Sequence, residues 1–114
     1  MPAGFDVEQF EAKAMAGRKL LRQIPPRYRS TYFSHTMEGG YTAGYYSYVW
    51  AEVLDCDAFQ AFKETGDLFN KEVAAKFRSH VLAPGGIDEG MVMYENFRGR
   101  KPSIDPLLDS RGLK

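Results

Sequence analysis

Gly39-Gly40-Tyr41-Thr42-Ala43-Gly44-Tyr45-Tyr46-Ser47-Tyr48-Val49-Trp50-Ala51-Glu52-Val53-Leu54 is a glycine-rich loop running into an apolar, aromatic segment. From Thr42 or Ala43 to Leu54 only Ser47 and Glu52 interrupt the apolar character, so the segment reads as a helix apolar almost all round. A helix of that kind is buried on most sides. A chain of 114 residues can hardly wrap it alone.

Upstream, the double glycine closes a shorter helical candidate, Arg27 to about Met37, with Tyr28, Tyr32 and His35 spaced along one face. Before it, Pro25-Pro26 stops a first helix, because proline pushes the preceding residue out of helical geometry. That helix starts at Asp6 as N-cap with Gln9 at N3, and Phe5 and Phe10 occupy the two positions of a hydrophobic staple. Val7, Phe10, Ala14, Leu21 and Ile24 form its apolar face.

Downstream, Asp57 is placed to cap a fourth helix carrying Phe59, Ala61 and Phe62, ended by Gly66. A fifth spans about Lys71 to Leu82, and Ala83-Pro84-Gly85-Gly86 is a loop. Asp88 opens a sixth through Met91, Met93, Tyr94 and Phe97, closed by Gly99, and Ile104 to Leu108 forms a last turn. No stretch alternates as a strand does, so the class is all-α: an irregular bundle of about five to six helices in one small domain.

Lys+Arg and Asp+Glu both count 15, which argues against a nucleic-acid partner, since phosphate neutralisation needs a basic excess. The local basic groups (Arg18-Lys19, Arg22, Arg27, Arg29; Arg98, Arg100, Lys101) read as solvated helix faces and loop ends. Cys56 is the single cysteine, excluding a disulfide within the chain, and Asp55 and Asp57 beside it disfavour a thiolate nucleophile. No apolar run approaches the roughly 18 residues of a membrane span. Met1-Pro2-Ala3-Gly4 begins nothing like a signal peptide. Together these point to a cytoplasmic protein with no membrane partner.

The chemistry is incomplete. Of the two histidines, His80 reads as a helix-surface residue, and no H-E-x-x-H or other metal-ligating spacing occurs. Gly85-Gly86 lacks the Lys-Ser/Thr of a phosphate loop, and no Ser/His/Asp or Cys/His arrangement is indicated. The tyrosines remain. Tyr45 and Tyr46 read as packing residues, whereas Tyr41 follows the double glycine at a loop tip or helix start. Tyr48 lies seven residues on, so both phenols could face one cleft if the helix begins near Tyr41. A neutral phenol is a good donor to a developing oxyanion. On residue physics alone, packing and function stay equally open for these two.

Pro26-Arg27-Tyr28-Arg29-Ser30-x-Tyr32-Phe33-x-His35, then Gly39-Gly40-Tyr41-x-Ala43-Gly44-Tyr45-Tyr46-Ser47-Tyr48-x-Trp50-Ala51-Glu52-Val53, resembles the C-terminal part of the thimet oligopeptidase and peptidyl-dipeptidase family of zinc metallopeptidases. The likeness is greatest to its bacterial peptidyl-dipeptidase branch. Asp57-Ala58-Phe59, Phe77-Arg78, Leu82-x-x-Gly85-Gly86, Phe97-x-Gly99-Arg100-x-Pro102 and Arg111-Gly112-Leu113 extend the match to most of the chain.

The resemblance implies hydrolysis of short peptides. It assigns Tyr48 the stabilisation of the tetrahedral oxyanion and Tyr41 the closure over substrate. His35 is assigned a hydrogen bond near the scissile bond. Gly39, Gly40 and Gly44 would let the loop move, and Tyr45 is counted with the substrate-facing residues. It also implies a zinc in the complete enzyme, held by an H-E-x-x-H helix and a further glutamate upstream of the matching region. This chain is therefore expected to bind no zinc and to be inactive alone. The alternative is a non-catalytic helical module that binds peptides, or one that self-associates through the apolar helix around Tyr45 to Leu54.

Overall fold

A computed structural model of the chain describes residues 4–21 and 23–114. Met1, Pro2, Ala3 and Arg22, on which parts of the leader and basic-cluster readings fell, lie outside the described residues. Five α-helices and no strand occur among them. The chain divides into two compact units, residues 1–45 and 46–114.

In the first unit, α1 spans Val7–Gly17. The Asp6 carboxylate accepts the Gln9 N–H at 3.0 Å, and the Phe5 and Phe10 rings lie 5.6 Å apart, so cap and staple form as expected. The helix does not run on to the prolines. Lys19 turns left-handed (φ 56°), and the Leu20 and Lys19 N–H groups reach back to the Met15 and Ala16 carbonyls. This is a Schellman closure, set off where Gly17 weakens the helix. Arg29 then donates to Glu11 at 2.9 Å, tying the segment after the prolines to α1.

The helix expected from Arg27 to Met37 is replaced by turns and a single 3₁₀ turn, Ser34–Thr36. Ser30, Thr31, Ser34 and Thr36 are weak helix formers whose hydroxyls compete for backbone groups, and Thr36 Oγ1 donates to the Phe33 carbonyl at 2.9 Å. A second 3₁₀ turn, Gly39–Tyr41, follows the glycines.

In the second unit the expected third and fourth helices are one, α2, Ser47–Glu64. α3, Lys71–Phe77, is capped by the Asn70 side chain, which accepts from the Glu72 and Val73 N–H groups, and continues as a π-helical turn, Arg78–Leu82. α4, Gly90–Arg98, closes on Gly99 at φ 76°, and α5 spans Asp105–Ser110. The core is Ala61, Tyr94 and Phe97, with Leu54, Ala58, Val73, Phe77 and Val81 packed against it. Arg111 holds Glu52 through contacts of 2.7 and 2.6 Å.

Asp57 is no helix cap. It sits mid-α2 with its side chain wholly buried, accepting from Tyr94 Oη at 2.6 Å and Arg100 Nη2 at 2.7 Å. Arg98 Nε stands 3.4 Å from the same carboxylate, and the Arg98 guanidinium forks onto Glu64 at 2.7 and 2.6 Å. Arg98 is thus a buried pairing residue rather than a solvated one. Burial alone would raise the Asp57 carboxyl, but the Tyr94 and Arg100 hydrogen bonds and both arginine charges hold it below the usual aspartate range. Burial, then the Asp57 hydrogen bond and charge, drive the Tyr94 phenol far above its ordinary value.

The start of α2, an apolar segment that so short a chain was expected hardly to wrap, is exposed at Tyr48, Val49 and Trp50, as is Tyr46 just before it. So small a unit closes its core around Ala61 and Tyr94 and has no further layer for that turn. No helix among the described residues is long and apolar enough to cross a membrane.

Candidate functional site

In the first unit, Phe33 organises an aromatic cluster. Tyr28 stacks on it at 4.7 Å and Tyr45 meets it edge-on at 4.8 Å. His35 lies 6.1 Å from the Phe33 ring and 5.5 Å from the Tyr45 ring. Tyr41 lies 6.1 Å from His35 and 5.6 Å from Tyr45, edge-on to the latter. Edge-on and offset rings at such spacings attract through their quadrupoles. The structure therefore brings together three of the residues singled out from the sequence: His35, Tyr41 and Tyr45.

The loop carrying Tyr41 is shaped by its backbone. Gly39 adopts φ 77°, a left-handed conformation that a side chain resists, while Gly40 and Gly44 do not. Thr42 Oγ1 donates to the Gly39 carbonyl at 3.0 Å, and the Gly44 N–H donates to the Tyr41 carbonyl at 2.9 Å. Between them Ala43 is held at φ 55°, a conformation costing an L-residue roughly 1–2 kcal/mol. His35 and Tyr41 stay exposed at the rim, with Tyr45 half-buried behind them.

Tyr48 stands in the first turn of α2, in the second unit, with 57% of its surface exposed. Because α2 begins at Ser47, helical spacing no longer relates Tyr48 to Tyr41, which belongs to a 3₁₀ turn. Tyr45 and Tyr46, read as residues inside the apolar helix, precede it instead.

Sequence reasoning missed Phe33. It placed Tyr32 on the face with Tyr28 and His35, but Tyr32 is largely exposed and Phe33 takes the centre. Helical periodicity was the wrong ruler for a segment without a helix. The quoted motif, which contains both residues, carried the only signal.

The cluster offers phenol and imidazole hydrogen-bonding groups beside ring faces, a combination suited to holding a peptide. Among the described residues no three His, Cys, Asp or Glu side chains gather to hold a metal ion. His35 is surrounded by rings, and the buried carboxylates Glu11 and Asp57 are committed to arginines. These residues do not fit a zinc ion.

Known proteins place this helical chain among the metallopeptidases. It matches Peptidase family M3, a family of zinc metallopeptidases, over residues 2–113, and belongs to that family. It is 45% identical over 108 residues to a dipeptidyl carboxypeptidase of Salmonella typhimurium, covering 94% of this chain and 16% of the relative. It is 49% identical over 82 residues to oligopeptidase A of Escherichia coli, covering 72% of this chain and 12% of the relative. An Arabidopsis thaliana protein named Probable cytosolic oligopeptidase A is 40% identical over 117 residues, covering 99% of this chain and 17% of the relative. The matching part thus spans between about an eighth and a sixth of the length of these curated relatives.

Proposed function

We propose that this chain supplies the substrate-facing and oxyanion-stabilising residues of a zinc metallopeptidase that hydrolyses short peptides, and that it is inactive without the rest of that enzyme. The observation that carries the reading is the gathering of His35, Tyr41 and Tyr45, ring to ring at 5.5–6.1 Å, behind a glycine turn in a chain of a peptidase family.

Each residue has a task that its chemistry allows. Tyr41, on the exposed Gly39–Tyr41 turn, closes over a bound peptide. His35 hydrogen-bonds the peptide near the scissile bond, and Tyr45 backs it with a ring face. Gly39 lets the turn form at φ 77°, while Gly40 and Gly44 leave the backbone bare for close approach. Tyr48 donates its phenolic proton in a hydrogen bond to the carbonyl oxygen as that oxygen becomes negative, and keeps the proton throughout. The zinc of the family belongs to residues outside this sequence. A cytoplasmic setting is supported by the single cysteine and by the relative named as cytosolic.

The test joins this chain to the part of the Salmonella dipeptidyl carboxypeptidase that it does not match and follows peptide cleavage. Tyr48→Phe should lower kcat about 10²–10³-fold with KM little changed, the usual effect of removing one oxyanion donor. Full activity in that variant, or stoichiometric zinc on the isolated chain after dialysis, refutes the reading.

A further inference from the structure

The second unit carries an apolar groove of about 590 Å³ that the tyrosine site does not use. Its walls are three helical segments: Trp50 and Leu54 from α2, Phe77 and Val81 from α3 and the π-helical turn, and Met91 and Met93 from α4. Asp55 is the one charged side chain in the lining. Tyr94 also lines the groove, but its hydroxyl is committed to Asp57 at 2.6 Å. A small-molecule site of this size would carry several convergent polar groups to fix its ligand. This groove offers only the Asp55 carboxylate, so it is built to receive mainly apolar side chains.

We infer that the groove seats a helix of the peptidase family M3 polypeptide lying outside this sequence, with apolar side chains at i, i+3/i+4 and i+7 facing Trp50, Phe77 and Met93 and a basic residue opposite Asp55. Three observations favour that occupant. Roughly five-sixths of each relative's length lies outside the matching part, so the family contains ample polypeptide to cover the groove. The apolar surface continues out of the groove along the first turns of α2, where Val49 is 59% exposed and Trp50 48%. Helical walls with methionines at the contact suit the helix-in-groove mode, in which an amphipathic helix lays down its apolar stripe. The inference rests on the reading of this chain as one part of a peptidase, and it adds the surface through which the other part joins.

The experiment mixes the 114-residue chain with the part of the Salmonella dipeptidyl carboxypeptidase outside its match. Association is followed by calorimetry and hydroxyl-radical oxidation by mass spectrometry. Oxidation of Trp50, Met91 and Met93 should fall several-fold on association, while that of Phe69, exposed on a loop of the same unit, stays unchanged. Trp50→Glu should weaken association about 30-fold without altering the melting curve, as loss of a buried aromatic anchor does. Phe69→Glu should leave it intact.

Lack of association, or association with groove oxidation unchanged, overturns the inference. So does a stable dimer of this chain that Trp50→Glu splits, since a second copy would then fill the groove. The two proposals fail separately. A complex that forms through the groove but shows no Tyr48-dependent cleavage overturns the peptidase reading alone. An active complex indifferent to Trp50→Glu overturns the groove alone.

Discussion

The two units of this chain are held together by different physics. Residues 46–114 have a core of buried apolar side chains, Ala61, Tyr94, Phe97 and Leu107, and a wholly buried carboxylate at Asp57. Tyr94, Arg98 and Arg100 converge on that carboxylate from α4 and the residues just after it. Residues 4–21 and 23–45 have no buried apolar side chain; their one buried residue is Glu11, paired with Arg29. Rings at half-exposed positions take the place of a core there. The part bearing most of the candidate substrate residues is thus the part with least packing of its own. Segments that must move over a ligand are drawn from the least stable parts of a fold, and the scaffold beside them carries the stability.

The largest effect should come from the scaffold's buried charge. Asp57→Ala leaves Arg98 and Arg100 without their shared partner, and breaking a buried ion pair from one side costs about 3–5 kcal/mol. Trp50, the one tryptophan, lies in this unit and reports its melting by fluorescence. The melt should drop steeply, while the tyrosine near-ultraviolet dichroism of the first unit persists below the transition. A small shift in the Trp50 melt would mean that the ion cluster is incidental.

The same cluster fixes a pH signature. The folded Asp57 carboxyl titrates below its ordinary value. Its contribution is therefore complete above the unfolded pKa of about 4 and disappears as pH falls through the lower folded value. The folded Tyr94 phenol titrates far above its ordinary value, so its contribution is complete below about pH 10 and declines above it. Denaturant melts of the second unit should be flat in this contribution between those limits. Tyr94→Phe should remove the alkaline decline, and persistence of the decline in that variant counts against the assignment.

Next in size is the ring cluster. Phe33→Ala removes contacts to Tyr28, His35 and Tyr45 together, which at about 0.5–1.5 kcal/mol for each aromatic pair is worth about 1.5–4.5 kcal/mol. The tyrosine dichroism should collapse while the Trp50 melt stays put. If both units melt together in this variant, the division between them is not energetic.

The contrast also shows what the residue pattern could reveal. Helices with local signals were legible: the Asp6 cap, the Phe5–Phe10 staple and the Gly99 stop depend on neighbours a few residues apart. Asp57 was misread because a cap and a buried ion-pair residue look alike until Tyr94, Arg98 and Arg100, some 40 residues away, are brought beside it. The break in α1 was hidden because Lys19, not a glycine, takes the left-handed position. For the site, the motif named His35, Tyr41 and Tyr45, but only the fold could show Phe33 at their centre.

The smallest and sharpest test compares two adjacent glycines. Gly39 sits at φ 77° and Gly40 does not, and a Cβ at either position would meet open space. Steric contact therefore cannot distinguish them, and only backbone conformation can. Gly39→Ala should cost about 1–2 kcal/mol locally, because the left-handed region disfavours a side chain. It should also disturb the tyrosine dichroism through Tyr41. Gly40→Ala, at an unstrained position, should be within about 0.5 kcal/mol of the parent or slightly stabilising, since alanine loses less chain entropy on folding. If Gly40→Ala nevertheless abolishes peptide cleavage in the assembled enzyme, its glycine is kept for approach to the substrate rather than for the turn. If both variants behave alike in folding and in cleavage, the turn at Gly39 is not what positions Tyr41.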